Sequence, residues 1–573
     1  MQITPTGFFS NLKNYSFSKL QGDLMAGITV AVMLIPQGMA YAMLAGLPPI
    51  YGLYAGLVPL LIYPLFGSSR HLSIGPAALV SILVLSGLGD FANPMSPEFI
   101  NLAILTAFVA GVIQLGLAIF RMGFLVKFLS NAVLDGFTSA AAIIIGLSQI
   151  KNILGLDLGR TSTVIDTIEN LLWNLHTTHM PTFMIGLASV VFILICKKVK
   201  RSFPSALVVV ILGTFCVYYF QLHEKGVPIV GYVPAGLPMF QMPDLYFDSI
   251  KTIFPSAVII CLISFIESLA IAKAVAGKNE NYPIDANKEL MGLGFSKILG
   301  SFFQAYPTTA SFTRSVINDS AGAKTGLSSI FSACIIGLTL LFLSTSIYYL
   351  PKAVLAAIVI AAVIGLVNIS KAKFYYKTSK HDFWVMIITF TTTLFLGVQS
   401  GILLGIILSI GYILHRSSKP FYAVLGYLEG TTVFRNIARF PDAKQREDLL
   451  IIRFNASIYF GNSEYFREII WSEIRQRTPK ITYLVLDFSS IPTIDASGLQ
   501  MFDQIINELH KDQITLVLTN VQGPTRDRLT LAGLLDKIGI HNQFLINKDA
   551  YTYTENPHGR HVLKMKYANQ TDS

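Results

Sequence analysis

Charge is what this sequence has little of. Only 13% of its 573 residues are Asp, Glu, Lys or Arg, while 53% are hydrophobic and the mean hydropathy is +0.57. A water-soluble domain carries roughly 25% charged residues, and a soluble chain of this length would divide into several cores, each needing a charged skin. The shortage excludes a secreted, fibrous or disordered chain and leaves a helical membrane protein with many spans. Cysteine is equally sparse. Cys196, Cys216, Cys261 and Cys334 all lie inside apolar stretches, so no disulfide framework is implied. A cleavable leader is also missing. The first apolar run opens near Leu24 behind a polar stretch with Lys13, Lys19 and Asp23, and it continues through Pro36-Gln37-Gly38 as a retained span. No Gly-rich Walker loop, metal-ligand cluster or catalytic triad is found, so neither an enzyme nor a cofactor is expected.

The charge that remains is mostly positive, with a net value of +10. Such a surplus raises the question of a nucleic-acid partner. Its placement answers against one: many of the basic residues sit in short loops between apolar runs, where the positive-inside rule accounts for them.

Apolar runs fall at roughly 23–43, 49–66, 76–90, 100–120, 132–150, 181–197, 204–220, 252–276, 289–303, 311–321, 326–348, 352–367, 382–398 and 401–415. Most are long enough, at about 1.5 Å per residue, to cross a hydrocarbon core of about 30 Å. With the leader in the cytoplasm, the loops holding Arg70, Arg121 with Lys127, Lys197 to Arg201, Lys273 with Lys278, Lys371 to Lys380, and Arg416 with Lys419 all face that side. Both termini are then cytoplasmic. Residues 157–179 read as an amphipathic interfacial helix. After Arg416 charge becomes frequent and the apolar runs shrink. Strand-like runs at 449–454, 481–486 and 513–518 alternate with helical ones at 462–477 and 496–510, which predicts an α/β module with mostly buried strands. The expected organisation is a leader over 1–22, a transport domain over 23–416, an α/β domain over 430–555 and a tail over 556–573.

Three polar places interrupt the spans. Leu34-Ile-Pro-Gln-Gly-Met-Ala-Tyr-Ala42 brings Pro36 and the Gln37 amide to membrane depth, either as a kink bonded to a neighbouring helix or as an amide facing a cavity. Ser73-Ile-Gly-Pro-Ala-Ala78 opens a short apolar run, and Tyr306-Pro-Thr-Thr-Ala-Ser-Phe-Thr-Arg-Ser315 repeats that grammar in the later half, now with Arg314. Two short, Pro-preceded helices in corresponding halves point to an inverted-repeat transporter site. Opposed helix N-termini with one arginine suit an anion, because orphan N–H donors and helix dipoles favour negative charge. Glu267, within Ile263-Ser-Phe-Ile-Glu-Ser-Leu-Ala270, is an acid in an apolar span with no basic residue within one turn. It reads as a protonatable coupling group or as a helix–helix contact.

The run Pro36-Gln-Gly-Met-Ala-Tyr-Ala-Met-Leu-Ala-Gly-Leu-Pro-Pro-Ile-Tyr-Gly-Leu-Tyr54, with Tyr63, Phe66-Gly-Ser-Ser-Arg70 and Gly75-Pro76, closely resembles the sulfate permease (SulP) family of anion transporters. The resemblance implies a polytopic α-helical membrane protein of about fourteen segments, two inverted repeats of seven, with a core domain moving against a gate domain. It places an anion site between the half-helix N-termini of the third and tenth segments. In this sequence that means Gln37, the amides around Ala77 and Ala78, and Thr313 with Arg314. Glu267 matches the acidic position implicated in cation coupling. Asp487-Phe-Ser-Ser and Thr493-Ile-Asp-Ala-Ser-Gly-Leu499 resemble a STAS domain. There Ser497 matches a position phosphorylated in anti-sigma factor antagonists; the plainer reading is that it helps open the helix at 496–510.

The function expected is secondary active transport of a small inorganic anion across the cell membrane, most plausibly sulfate with protons. The alternatives are bicarbonate or chloride carriage by sodium symport or anion exchange, and a membrane-anchored STAS regulator. The partners expected are the anion, a proton or sodium ion, the lipid bilayer, a second copy of the chain, and a protein or nucleotide ligand of the STAS domain.

Overall fold

The computed structural model describes residues 15–124, 130–156, 158, 164–199, 204–232, 234–279, 282–342 and 348–556. Residues 1–14 of the leader, Lys127, Lys200 and Arg201, parts of the 157–179 and 326–348 segments, and the tail beyond residue 556 lie outside the described residues. The chain divides near residue 409 into two compact units.

The first unit is helical. Its first half runs α1 (Phe17–Leu44), α2 (Ile50–Phe66), β1 (Ile74–Gly75), α3 (Ala78–Leu88), α4 (Pro97–Ile119), α5 (Asn131–Leu154), α6 (Val164–Trp173), α7 (Met180–Val199) and α8 (Ser205–Tyr219). The second half repeats that order: α9 (Phe247–Asn279), α10 (Ala286–Ser301), β2 (Thr309–Ala310), α11 (Phe312–Ser320), α12 (Leu327–Phe342), α13 (Lys352–Val363), α14 (Ile369–Thr378), α15 (Lys380–Leu396) and α16 (Val398–Ser418). Each expected span coincides with one of these helices. Several are long and apolar enough to cross a membrane by themselves, among them α1, α4, α5, α9 and α16.

The contacts repeat as the order does. α1 packs on α12 as α9 packs on α4, and α1 packs on α11 as α9 packs on α3. Likewise α2 meets α12 as α10 meets α4, and α5 meets α15 as α13 meets α7. Helix starts are fixed locally. Ser96 accepts the Phe99 N–H and Pro97 opens α4; Asp285 accepts the Asn287 and Lys288 N–H groups at α10.

Two amphipathic helices sit at equivalent places, between the fifth and sixth spans of each half. α6 carries Asp166 and Glu169 and no basic residue, whereas α14 carries Lys371, Lys373 and Lys377 and no acid. The basic stretch from Lys371 was expected as a loop and is a helix. Asn368 caps it, and Lys371 Nζ and the Tyr375 hydroxyl both donate to the Asp135 carboxylate of α5, at 2.6 and 2.8 Å. Pro36, expected to break the helix ladder, lies inside an unbroken α1; it removes only the one donor that would bond the Val32 carbonyl.

The second unit holds a six-stranded mixed sheet in the order β4-β3-β5-β6-β7-β8: β3 (Tyr422–Tyr427), β4 (Phe434–Asn436), β5 (Leu449–Phe454), β6 (Tyr483–Asp487), β7 (Thr515–Thr519) and β8 (Gln543–Phe544). β5 to β8 are parallel, and β3 is antiparallel to β5. Leu450, Ile452, Leu484, Leu486, Leu516 and Leu518 pack under α17 (Ser463–Arg475) and α18 (Ala496–Lys511), while Ile451, Val485 and Val517 face the other layer. The sheet begins at Tyr422, upstream of the expected start at 430, because β3 is a short apolar run set off from the last span only by the brief polar stretch Arg416 to Lys419. α18 opens on Asp495, whose carboxylate accepts from Gly498 N at 2.7 Å and Phe460 N at 3.0 Å. The helix-opening role read for Ser497 therefore belongs to Asp495; Ser497 is exposed in the first turn.

Asp495→Ala is expected to remove about 1–2 kcal/mol from α18. Hydrogen exchange in the full-length protein should then quicken across residues 496–499, leaving the α4 amides unchanged.

Candidate anion-binding site

The site is built where both halves break their third span. β1 and β2 pair antiparallel, Ile74 opposite Ala310 and Gly75 opposite Thr309. Ser311 N donates to the Ser73 carbonyl at 3.1 Å, and Ser73 N donates to Ser315 Oγ at 3.0 Å. Each strand leads straight into a short helix that has no side-chain cap at its start, α3 at Ala77 and α11 at Ser311. The first backbone bonds back to those positions come from Ser81 N and Ser315 N. The amides of residues 78–80 and 312–314 are thus without helical partners.

Arg314, on the first turn of α11, is fully buried. Its Nε donates to Ser73 Oγ at 3.4 Å, but Nη1 and Nη2 have no hydrogen-bond partner. A side chain on Gly75 would stand 3.4 Å from Nη2, so the glycine leaves the guanidinium its space. Leaving a guanidinium buried and unpaired is costly. Among the described residues, none supplies an acceptor to its two terminal nitrogens.

α1 forms one wall. Leu34 lies against Gly75, and Gly38 lies 3.7 Å from the Pro76 ring and 3.0 Å from the Gly52 carbonyl, measured from the position of its absent Cβ. With Tyr41, whose phenol lies within electrostatic reach of Arg314, these residues form one stripe that also carries the half-buried Gln37. Only glycine permits this approach of α1 to α2 and α3.

Glu267 on α9 is half-buried, and Thr309 Oγ1 lies 3.5 Å from its Oε2. The same hydroxyl donates to the Ser264 carbonyl at 3.1 Å and meets Ser268 Oγ at 3.1 Å, which in turn accepts Ala310 N. Glu267 and Arg314 are therefore joined through β2, with no direct ion pair between them. Ala77 precedes α3 and Ala78 opens it. The Thr313 side chain does not join the cluster: it is exposed, so only its backbone amide belongs to the helix start. Ser497 lies in the other unit.

Three buried charges escaped sequence reasoning, although one lies inside an expected span and two at the first residue of one, where any ionisable residue is a signal. Asp23 accepts from Lys324 N, Thr325 N, Thr325 Oγ1 and the Tyr15 hydroxyl, at 2.5–2.9 Å. Glu289 accepts from the Tyr63 hydroxyl and from Ser68 N, Ser68 Oγ and Ser69 N, at 2.7–3.1 Å. Lys297 is buried on α10 and donates to Gln114.

Residues 20–389 match the Sulfate permease family and residues 440–544 the STAS domain. The chain belongs to the sulfate permease family. "Sulfate transporter 4.1, chloroplastic" of Arabidopsis thaliana is 40% identical over 581 residues, covering 97% of this chain and 84% of the relative. "High affinity sulfate transporter 2" of Stylosanthes hamata is 37% identical, covering 94% and 84%. The fold is that of a murine solute carrier 26 family member A9 anion transporter, with a TM-score of 0.88 at 24% identity over 96% of this chain and 93% of that one. By family this is a multi-pass membrane transporter of anions, not an enzyme.

Arg314→Ala is expected to weaken binding of labelled sulfate at least about tenfold, about 1.4 kcal/mol. The melting temperature of the ligand-free protein should hold or rise, since an unpaired buried charge is removed. Binding at wild-type strength would move the site elsewhere.

Proposed function

We propose that this protein carries sulfate together with protons, as a secondary active transporter. The observation that carries the proposal is the Arg314 guanidinium, buried with both terminal nitrogens unpartnered between two uncapped helix starts. An oxyanion supplies the missing acceptors: its oxygens take the Nη donors, the amides of residues 78–80 and 312–314, and the Gln37 amide from α1. One fixed positive charge attracts a dianion without holding it too tightly for release. Relatives named as sulfate transporters along nearly the whole chain favour sulfate within the family's anions.

Glu267 is the proton-carrying group in this reading. Protonated, it offsets part of the charge of an entering dianion; ionised, it opposes the anion across Thr309. The same reading takes the transporter as a homodimer in the cell membrane, both termini cytoplasmic, with the transport domain over 23–416 and the STAS domain running from β3 at Tyr422 to 555. Exposed Ser497, on the first turn of α18, is the candidate for regulatory phosphorylation, since phosphate is favoured near a helix N-terminus.

In proteoliposomes, an inward proton gradient is expected to raise labelled sulfate uptake several-fold, with no effect from replacing sodium. Glu267→Gln should leave uptake that ignores the gradient. Gradient-independent uptake by the unaltered protein would end the coupling claim, and stronger competition by bicarbonate or chloride than by unlabelled sulfate would end the substrate claim.

A further inference from the structure

Lys297 has no part in the site described above, yet a chain of polar contacts ties it to that site. The side chain is 2% exposed, on α10 among α2, α4 and α9. Its Nζ donates to Gln114 Oε1 of α4 at 3.0 Å. Gln114, wholly buried, sends its Nε2 to the Cys261 carbonyl and to Ser264 Oγ of α9, both at 3.0 Å. The ammonium thereby fixes which end of the Gln114 amide faces α9: with the carbonyl oxygen held by a cation, only the amino end is left for Ser264. The Ser264 carbonyl accepts from Thr309, the hydroxyl 3.5 Å from Glu267.

Thr309 Oγ1 has one proton and three oxygens within reach of it, the Ser264 carbonyl, Ser268 Oγ and the Glu267 carboxylate. Whichever wins depends on the charge of Glu267 and on how firmly Ser264 is held. Lys297 acts on the second, as the anchor of the Gln114–Ser264 end. A relay of protons is ruled out, because the Ser264 link runs through a carbonyl with no proton to pass.

We infer that Lys297 is a positioning residue for proton coupling: its ammonium, acting through Gln114, Ser264 and Thr309, sets the pH at which Glu267 exchanges its proton during transport. The inference rests on the proposed role of Glu267. The groups facing Lys297 are Gln114 of α4 and the Cys261 thiol of α9, with Tyr63 of α2 already engaged by Glu289 on its own helix. Those facing Glu267 are Arg314 of α11, Thr309 of β2 and Tyr41 of α1. Lys297 is thus a buried cation with an amide, and no carboxylate, as its hydrogen-bond partner.

The test is the pH profile of labelled sulfate uptake by the full-length protein in proteoliposomes. Without the ammonium the Gln114 amide is free to turn and Ser264 loosens its hold on the Thr309 proton, which then favours the Glu267 carboxylate, so Lys297→Met should move the half-maximal pH downward by about one unit, the worth of one hydrogen bond. Lys297→Arg should keep it within about 0.3 unit. Should Lys297→Met not reach the membrane, Gln114→Leu, which removes the amide that holds Ser264, must shift the profile the same way. A lowered maximal rate with an unmoved midpoint means a purely structural lysine and overturns the inference alone, provided Glu267→Gln abolishes the pH dependence. If the unaltered protein and Glu267→Gln share one flat profile, the coupling role of Glu267 falls and this inference with it.

Discussion

Everything at the centre of the membrane unit depends on four residues of antiparallel pairing, Ile74–Gly75 against Thr309–Ala310. A chain that stops a helix within lipid must satisfy the exposed backbone groups some other way. Here each half stops its third span, and each satisfies the other's broken backbone. The pairing spends the strand groups on one another and leaves the helix-start amides over. It also forces both starts into one place, because the register that joins Gly75 to Thr309 brings the first turns of α3 and α11 together. Arg314 enters that place from the first turn of α11, and Glu267 is tied to it through Thr309.

The buried charges of the unit fall into two kinds. Asp23 and Glu289 are carboxylates with four donors each, supplied by backbone and hydroxyl groups of facing segments. They fix where α1 meets the start of α12 and where the chain leaves α2, and they have little acceptor capacity left for anything else. Arg314 is the other kind, with its terminal donors unused. Completeness of hydrogen bonding, more than burial itself, separates a charge that holds the fold from one that awaits a ligand.

Much of this was legible in the sequence. The spans and the two broken helices follow from hydropathy and from proline placement, because lipid punishes any lapse in either, and the strands β5 to β7 follow from their short, buried apolar runs. Arg314 and Glu267 stood out through the scarcity of charge around them. What stayed hidden was whatever depends on a partner far along the chain. The basic stretch from Lys371 looked like a loop because its anchor, Asp135, is 236 residues away. Lys297 and Glu289 lay within an expected span, yet only the facing Gln114, Tyr63 and Ser68 reveal what each one does. The resemblance makes Thr313 a ligand; on a helix, consecutive side chains point about 100° apart, and its own turns outward. β3 was missed because its apolar hexamer lies within a few residues of the last span, inside the stretch read as the boundary between domains.

The two amphipathic helices have a bearing on how the chain comes to lie one way up. An inverted repeat is nearly indifferent to being turned over, since each half takes the other's shape and place. Left to shape alone, a nascent chain would have two insertions of similar free energy. α6 and α14 exchange places on such a turn, but one carries only acids and the other only lysines. Lysines near the ends of spans are retained on the cytoplasmic face, whereas acids exert little pull. The pair thus works as a polarity mark written on an otherwise reversible object, and losing the lysines would blur orientation before it harmed packing.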